Sequence, residues 1–204
     1  MPRAILSLLP LFAALPGPAQ EPSAPDPPPI RALLVAGGCS HDYATRREIL
    51  VRGLRERVAR PIEWTVRLQG EGEGDARIPL FESSEWAAGH DIVVHDHCFP
   101  RVADSAYIDR VLAPHLAGTP AVLLHGTMMS FRDRGPWHDF TGLAIRSHER
   151  ERSVLVEPLA ASHSILKGFA PWTILREELY RVEKASPGLT VLADAADPSG
   201  TRHA

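Results

Sequence analysis

Four short apolar runs along this chain each give way to a polar, histidine-bearing segment. Leu33-Leu34-Val35-Ala36 leads into Gly37-Gly38-Cys39-Ser40-His41-Asp42, and Ile92-Val93-Val94 leads into His95-Asp96-His97-Cys98. Ala121-Val122-Leu123-Leu124 leads into His125-Gly126-Thr127, and Val154-Leu155-Val156 is followed a few residues on by His163. Continuous apolar runs of this length, separated by helical periodicity, predict buried strands of a parallel sheet. Ligands of such sheets bind in the crevice beyond the carboxyl ends of the strands, so the histidines collect where chemistry is expected.

The pattern predicts a first strand over Arg31 to Ala36, then a helix capped by Thr45, with Glu48 completing a capping box, and running to about Val58. Ile49, Leu50, Leu54 and Val58 form its apolar stripe, and Arg46, Arg47, Arg52, Arg55 and Glu56 a solvated face. A second strand covers Ile62 to Leu68, with enough alternation for a sheet edge. The Gly-rich Gln69 to Arg77 is a loop without phosphate-loop spacing, and Phe81 to Ala88 is a short helical or irregular piece. A third strand covers Asp91 to His95. Asp104 opens a second helix with Tyr107, Ile108, Val111, Leu112 and Leu116 inward, and Ala121 to Leu124 is the fourth strand. Met128 to Leu143 reads as a loop and Val154 to Glu157 as a fifth strand. Leu175 to Val182 is ambiguous between strand and helix, and Leu189 to Ala193 is a last strand. This order fits an α/β fold with an open, doubly wound, mostly parallel sheet.

Composition narrows the picture. The chain has 204 residues, a formal net charge of -3 and 44% hydrophobic content, enough for one α/β domain. Without a basic block, nucleic acid is not an expected partner. The first residues have the layout of a secretory signal peptide: Met1-Pro2-Arg3, an apolar stretch from Ala4 to Leu15, and the small residues Gly17-Pro18-Ala19. Residues 1–19 are therefore expected to be a leader too short for stable membrane insertion, 20–29 a Pro-rich linker, and 30–204 the domain of a secreted or periplasmic protein. An oxidising compartment would permit a bridge between Cys39 and Cys98, the only two cysteines. Oligomeric state is left open.

Several residues could carry chemistry. His95 and His97, two apart on a strand, point to one face and suit a divalent metal, a third ligand being needed; polar loop histidines are the plainer alternative. His125, directly after the fourth strand, can act as a general base beside Gly126, or sit as a satisfied buried histidine. In His41-Asp42 the carboxylate could orient the imidazole or bind a hydroxyl, or it could serve a turn or helix cap. Glu177-Glu178-Leu179-Tyr180 offers carboxylates for hydroxyls and a ring for stacking, or a solvated edge.

Taken together these segments resemble the trehalose-utilisation, or ThuA-like, family. Val122 to Leu143 is similar to its signature segment, an apolar strand followed by histidine, small residues, a Ser-Phe pair and a tryptophan. His163-Ser164-Ile165-Leu166-Lys167-Gly168-Phe169 resembles its histidine-led element, with Ser164 in place of proline. Glu177-Glu178-Leu179-Tyr180 resembles its acidic-Leu-Tyr element, and His41-Asp42-Tyr43 its first histidine turn. The resemblance spans roughly Ile30 to Ala196 and implies a flavodoxin-like fold similar to class I glutamine amidotransferases. It does not imply their chemistry, because no nucleophile-elbow cysteine follows the fourth strand. Carried over, the family's site comprises His41, Asp42, His125, Phe131, Trp137, His148, His163, Glu178 and Tyr180. The family usually continues with a Gly-rich strand pair and a late histidine, so a truncated C-terminus is an expectation here, and His95-Asp96-His97 has no family counterpart.

Three functions follow. The first is an exported protein acting on small carbohydrates, disaccharides or their keto forms, with His125 as base, Glu178 as acid, His41 assisting, and Trp137 with Phe131 as a sugar platform. Asp42, His148, His163 and Tyr180 would complete substrate binding. The second is a non-catalytic sugar-binding module using the same residues. The third is a metallohydrolase ligated by His95, His97 and one or two of His41, His125 or His163, the one reading that requires a cofactor, a divalent metal.

Overall fold

The computed structural model describes residues 26–133, 135–160 and 162–204; the expected leader and most of the Pro-rich linker lie outside the described residues. Four strands, β1 (Ile30–Gly38), β2 (Ile62–Leu68), β3 (Ile92–Cys98) and β4 (Ala121–Leu123), form a parallel sheet in the order β2-β1-β3-β4. Helix α1 (Tyr43–Arg57) carries the chain from β1 to β2, and α2 (Ser105–Leu116) from β3 to β4. The strand order reverses between β1 and β3, whose ends are in register at Gly38 and Cys98. A crevice opens at such a reversal because the two connections leave toward opposite faces.

Burial explains the sequence pattern. β1 and β3 have strands on both sides and cover on both faces, so Leu33 to Ala36, Val93 and Val94 are buried. β2, at the edge, alternates between half-buried and exposed positions. β3 runs three residues past the expected His95, so His95, Asp96 and His97 lie inside a buried strand and not in a loop beyond it.

Both main helices are capped by aspartate. Asp104 Oδ1 accepts the Tyr107 N–H at 3.1 Å, as expected for α2, and Tyr107, Ile108, Val111 and Leu112 are buried. Leu116 is instead exposed, because the last turn faces His115 inward. In α1 the cap is Asp42, whose Oδ1 accepts the Thr45 N–H at 3.0 Å, three residues before the expected Thr45. The expected apolar stripe is only half-buried at Leu50 and Leu54, and Ile49 faces solvent.

The second half departs from a mostly parallel sheet. A short helix, α3 (Gly135–Thr141), occupies part of the expected loop. β5 (Leu143–His148) pairs antiparallel with β8 (Tyr180–Ala185). β6 (Arg152–Pro158) pairs antiparallel with β7 (Trp172–Glu177) and β9 (Ala193–Ala196), and β10 (Arg202–His203) completes that sheet. The run Val154-Leu155-Val156 is thus not a strand of the parallel sheet. Among the described residues its link to β7 carries a single 3-10 turn, Ser164–Leu166, and no crossover helix to return the chain in the same direction. The ambiguous 175–182 segment is the end of β7, a tight corner at Glu178-Leu179 and the start of β8, while the last expected strand begins only at Ala193. No described helix is long and apolar enough to cross a membrane.

Candidate active site

The carboxyl ends of β1, β3 and β4 meet the β7–β8 corner around a cleft of about 600 Å³, lined among others by His41, His125, His148, Glu177, Glu178 and Tyr180. Each arrives from a different element: His41 from the turn after β1, His125 from the 3-10 turn after β4, His148 from the end of β5, and the rest from the β7–β8 corner. Close packing of backbones makes this convergence possible. Gly38 has φ +97, and a Cβ there would lie 2.1 Å from the Cys98 carbonyl oxygen. A Cβ on Gly126 would press on the His41 ring at 3.1 Å, so glycine after His125 lets the two imidazoles approach.

Two histidine–glutamate pairs flank one tyrosine. His125 Nδ1 is 3.7 Å from Glu177 Oε1, and His148 Nδ1 is 3.8 Å from Glu178 Oε2. The His125 ring stacks on Tyr180 at 4.5 Å and 26°, while the His148 ring lies 5.7 Å from the Tyr180 ring, tilted by 34°. The His41 ring meets His125 edge-on at 5.2 Å. Burial lowers the pKa of His125, with Glu177 opposing, and it lowers that of His41, with Arg46 adding to the effect. Both imidazoles are therefore neutral near pH 7, each with a lone pair free to accept a proton. Burial also pushes the Tyr180 hydroxyl up, so it stays protonated as a donor. His125 itself has φ +31, a left-handed backbone uncommon outside glycine and found at sites where geometry is imposed by the surroundings.

Arg46, expected on the solvated face of α1, instead points inward, 2.7 Å from the fully buried Asp96, and lines the cleft. Burial raises the Asp96 carboxyl and Arg46 opposes that shift. Cys39 and Cys98 are free thiols with sulfurs 3.5 Å apart at the same edge of the cleft, so the expected neighbourhood is present without a bridge. Burial pushes the Cys98 thiol up to about 12.

Other expected site residues lie elsewhere. Phe131 and Trp137 are fully buried, edge-to-face at 5.0 Å in the core beneath α2, and cannot form a sugar platform; Tyr180 lines the cleft with an aromatic ring. Asp42 is spent on capping α1. His163 caps a 3-10 turn, its Nδ1 accepting the Ile165 N–H at 3.3 Å, away from the cleft.

His95 and His97 also lie in the core, and their ring nitrogens are committed to a hydrogen-bonded chain. Ser130 Oγ, His97, His95, His115 and the Thr119 carbonyl follow one another at 2.9, 3.0, 2.9 and 2.8 Å. The carbonyl at one end sets the direction. His115 must donate from Nδ1, so its Nε2 accepts from His95 Nε2–H; His95 Nδ1 then accepts from His97 Nε2–H, and His97 Nδ1 accepts the Ser130 hydroxyl proton. All three rings are neutral in this scheme, in keeping with burial that holds His97 down to about 3 and His95 well below its ordinary value. The pair is thus a satisfied polar core, and its nitrogens face one another instead of a common ion. Among the described residues no group of three or more histidine, cysteine or acidic side chains is arranged to hold a metal.

The parallel sheet, its reversal point and the cleft above it define a mixed α/β fold, with antiparallel sheets in its second half. The fold is shared with a ThuA-like protein from Bacteroides uniformis ATCC 8492, at TM-score 0.65 and 12% identity over 87% of this chain and 72% of that one. A GMP synthase component from Thermoplasma acidophilum is also similar, at TM-score 0.51 and 14% identity over 82% of this chain and 73% of that one. No protein-family model and no curated protein matches the chain.

Proposed function

We propose that the protein is an exported, ThuA-like carbohydrate-active protein that performs acid–base chemistry on a disaccharide or keto-sugar in the cleft above β1, β3 and β4. The observation that carries this reading is the placement of two histidine–glutamate pairs around Tyr180. The shared fold with a ThuA-like protein and the order of the resembling segments support it.

In this scheme Glu177 faces Nδ1 of His125 and favours the tautomer that carries a proton there. Nε2 is left with a lone pair and serves as the base, taking a proton from a sugar hydroxyl, from the carbon beside a keto group, or from water. Glu178 returns a proton or holds a hydroxyl, while His148, whose Nδ1 donates to the Glu149 carbonyl at 2.8 Å, stands 3.8 Å from it. Tyr180 supplies an apolar face and a hydroxyl donor, the role expected of Trp137 and Phe131 from sequence. Two groups of different environment beside one ring suit either hydrolysis or isomerisation.

The test is turnover of trehalose, other disaccharides and their keto derivatives by the wild type and by Glu177→Gln and Glu178→Gln. Loss of turnover in Glu178→Gln, with a lowered rate in Glu177→Gln, supports the scheme. Equal rates in all three proteins contradict it.

A further inference from the structure

Every carboxylate that faces the cleft already has a basic neighbour. Glu151 is 2.6 Å from Arg176, Glu177 faces His125, Glu178 faces His148, and Asp96 beneath the floor holds Arg46. Arg132 is the cation left over. It lines the cleft, it is half-buried, and among the described residues no carboxylate pairs with it. Its backbone position is imposed, because Phe131 before it is anchored in the core with φ +52 and donates its N–H to the Phe99 carbonyl at 3.2 Å.

A second observation comes from the turn after β1. Ser40 and His41 line the same cleft, Ser40 with φ +78, and among the described residues neither backbone N–H has an acceptor. The 15-residue helix α1 starts directly behind them, adding the positive end of its dipole. A half-buried arginine without a carboxylate partner and two amides without acceptors, lining one cleft among the described residues, make a surface that neutral hydroxyls satisfy poorly and an anion satisfies well.

We infer that Arg132, with the Ser40–His41 amides, binds an anionic group, so that the substrate class of the cleft is an acidic carbohydrate bearing a carboxylate or a phosphate. This rests on the proposed carbohydrate function and narrows it: the anion docks at Arg132 while the sugar ring reaches Tyr180 and the histidine–glutamate pairs. Guanidinium suits both carboxylate and phosphate through paired N–H donors, which is why both acids are tested.

The experiment is calorimetric titration of the full chain and of Arg132→Gln with glucose, glucuronate, glucose 6-phosphate and inorganic phosphate. Equal melting temperatures of the two proteins establish that the variant is folded. The expected result is that glucuronate or glucose 6-phosphate binds at least about tenfold tighter than glucose, and that the advantage disappears in Arg132→Gln. Whichever acid binds tighter identifies the anion. If glucose binds as tightly as both acids and Arg132→Gln changes nothing, the anion site is overturned while the carbohydrate reading stands. If inorganic phosphate binds as tightly as glucose 6-phosphate and needs Arg132, the anion site stands and the sugar is overturned as its ligand. Absence of binding by all four overturns both.

Discussion

The imidazole of His125 lies on the ring of Tyr180, with centroids 4.5 Å apart and planes inclined by 26°. The two residues come from opposite halves of the molecule, one from the turn that follows β4 and one from the antiparallel strands. The contact therefore joins the two layers at the cleft, and the second layer supplies both carboxylates that face the histidines.

Asp42 is a helix cap, and its replacement should be felt in stability alone. Asp42→Ala is expected to cost about 1 kcal/mol in chemical denaturation. Ligand affinity and turnover should stay within about twofold of wild type. A large loss of affinity at unchanged stability would return Asp42 to the substrate site.

Trp137 belongs to the core, so it should behave as a packing residue. Trp137→Ala is expected to destabilise by about 3–5 kcal/mol. Trp137→Phe, which also removes a buried indole N–H without a partner among the described residues, should cost less and leave sugar binding unchanged. Weakened binding in a Trp137→Phe protein of near-native stability would contradict the burial of this ring.

The chain of three neutral histidines predicts sensitivity to mild acid. Folding lowers the pKa of His95, His97 and His115, each mainly through burial, so the unfolded chain binds more protons once pH falls below about 6.5. Stability is therefore fully present above the unfolded value and is lost as pH falls from about 6.5 toward the depressed folded values. Each histidine contributes at most about 1.4 kcal/mol per pH unit in that window. Urea unfolding at pH 7 and pH 5 checks this, with a clearly lower midpoint expected at pH 5. Equal midpoints would show that the native cluster takes up protons as readily as the unfolded chain, which would contradict the effect of burial.

Much of the parallel half is legible in the chain, for a physical reason. Strands buried on both faces must be continuously apolar, so β1 and β3 announce themselves, and Asp104 with its inward residues marks α2. The antiparallel half hides because β7 and β8 are half-exposed and their pairing partners are distant in sequence. In the candidate site, His41, His125, His148, Glu178 and Tyr180 share the cleft, since each sits at an element end that topology gathers there. Phe131 and Trp137 mislead because an aromatic beside a polar turn looks the same in sequence whether it faces a ligand or the core. His95 and His97 mislead because their partners, His115 and Ser130, come from other elements. Arg46 and Arg132 carry no local signal, since only the fold shows that one is held by a buried Asp96 and that the other has no carboxylate partner among the described residues.

The central claim is that His125 is the base of the cleft, and the most direct measurement is the pH dependence of kcat/KM for wild type and His125→Gln on disaccharides, keto-sugars and acidic sugars. The account predicts turnover of at least one of these by the wild type, on a profile that falls only below the ordinary histidine range because burial lowers the His125 pKa. It predicts a loss of about 10²–10⁴ in rate in His125→Gln with the substrate still bound. Undiminished turnover by His125→Gln, or saturable binding by the wild type without any product, would contradict it.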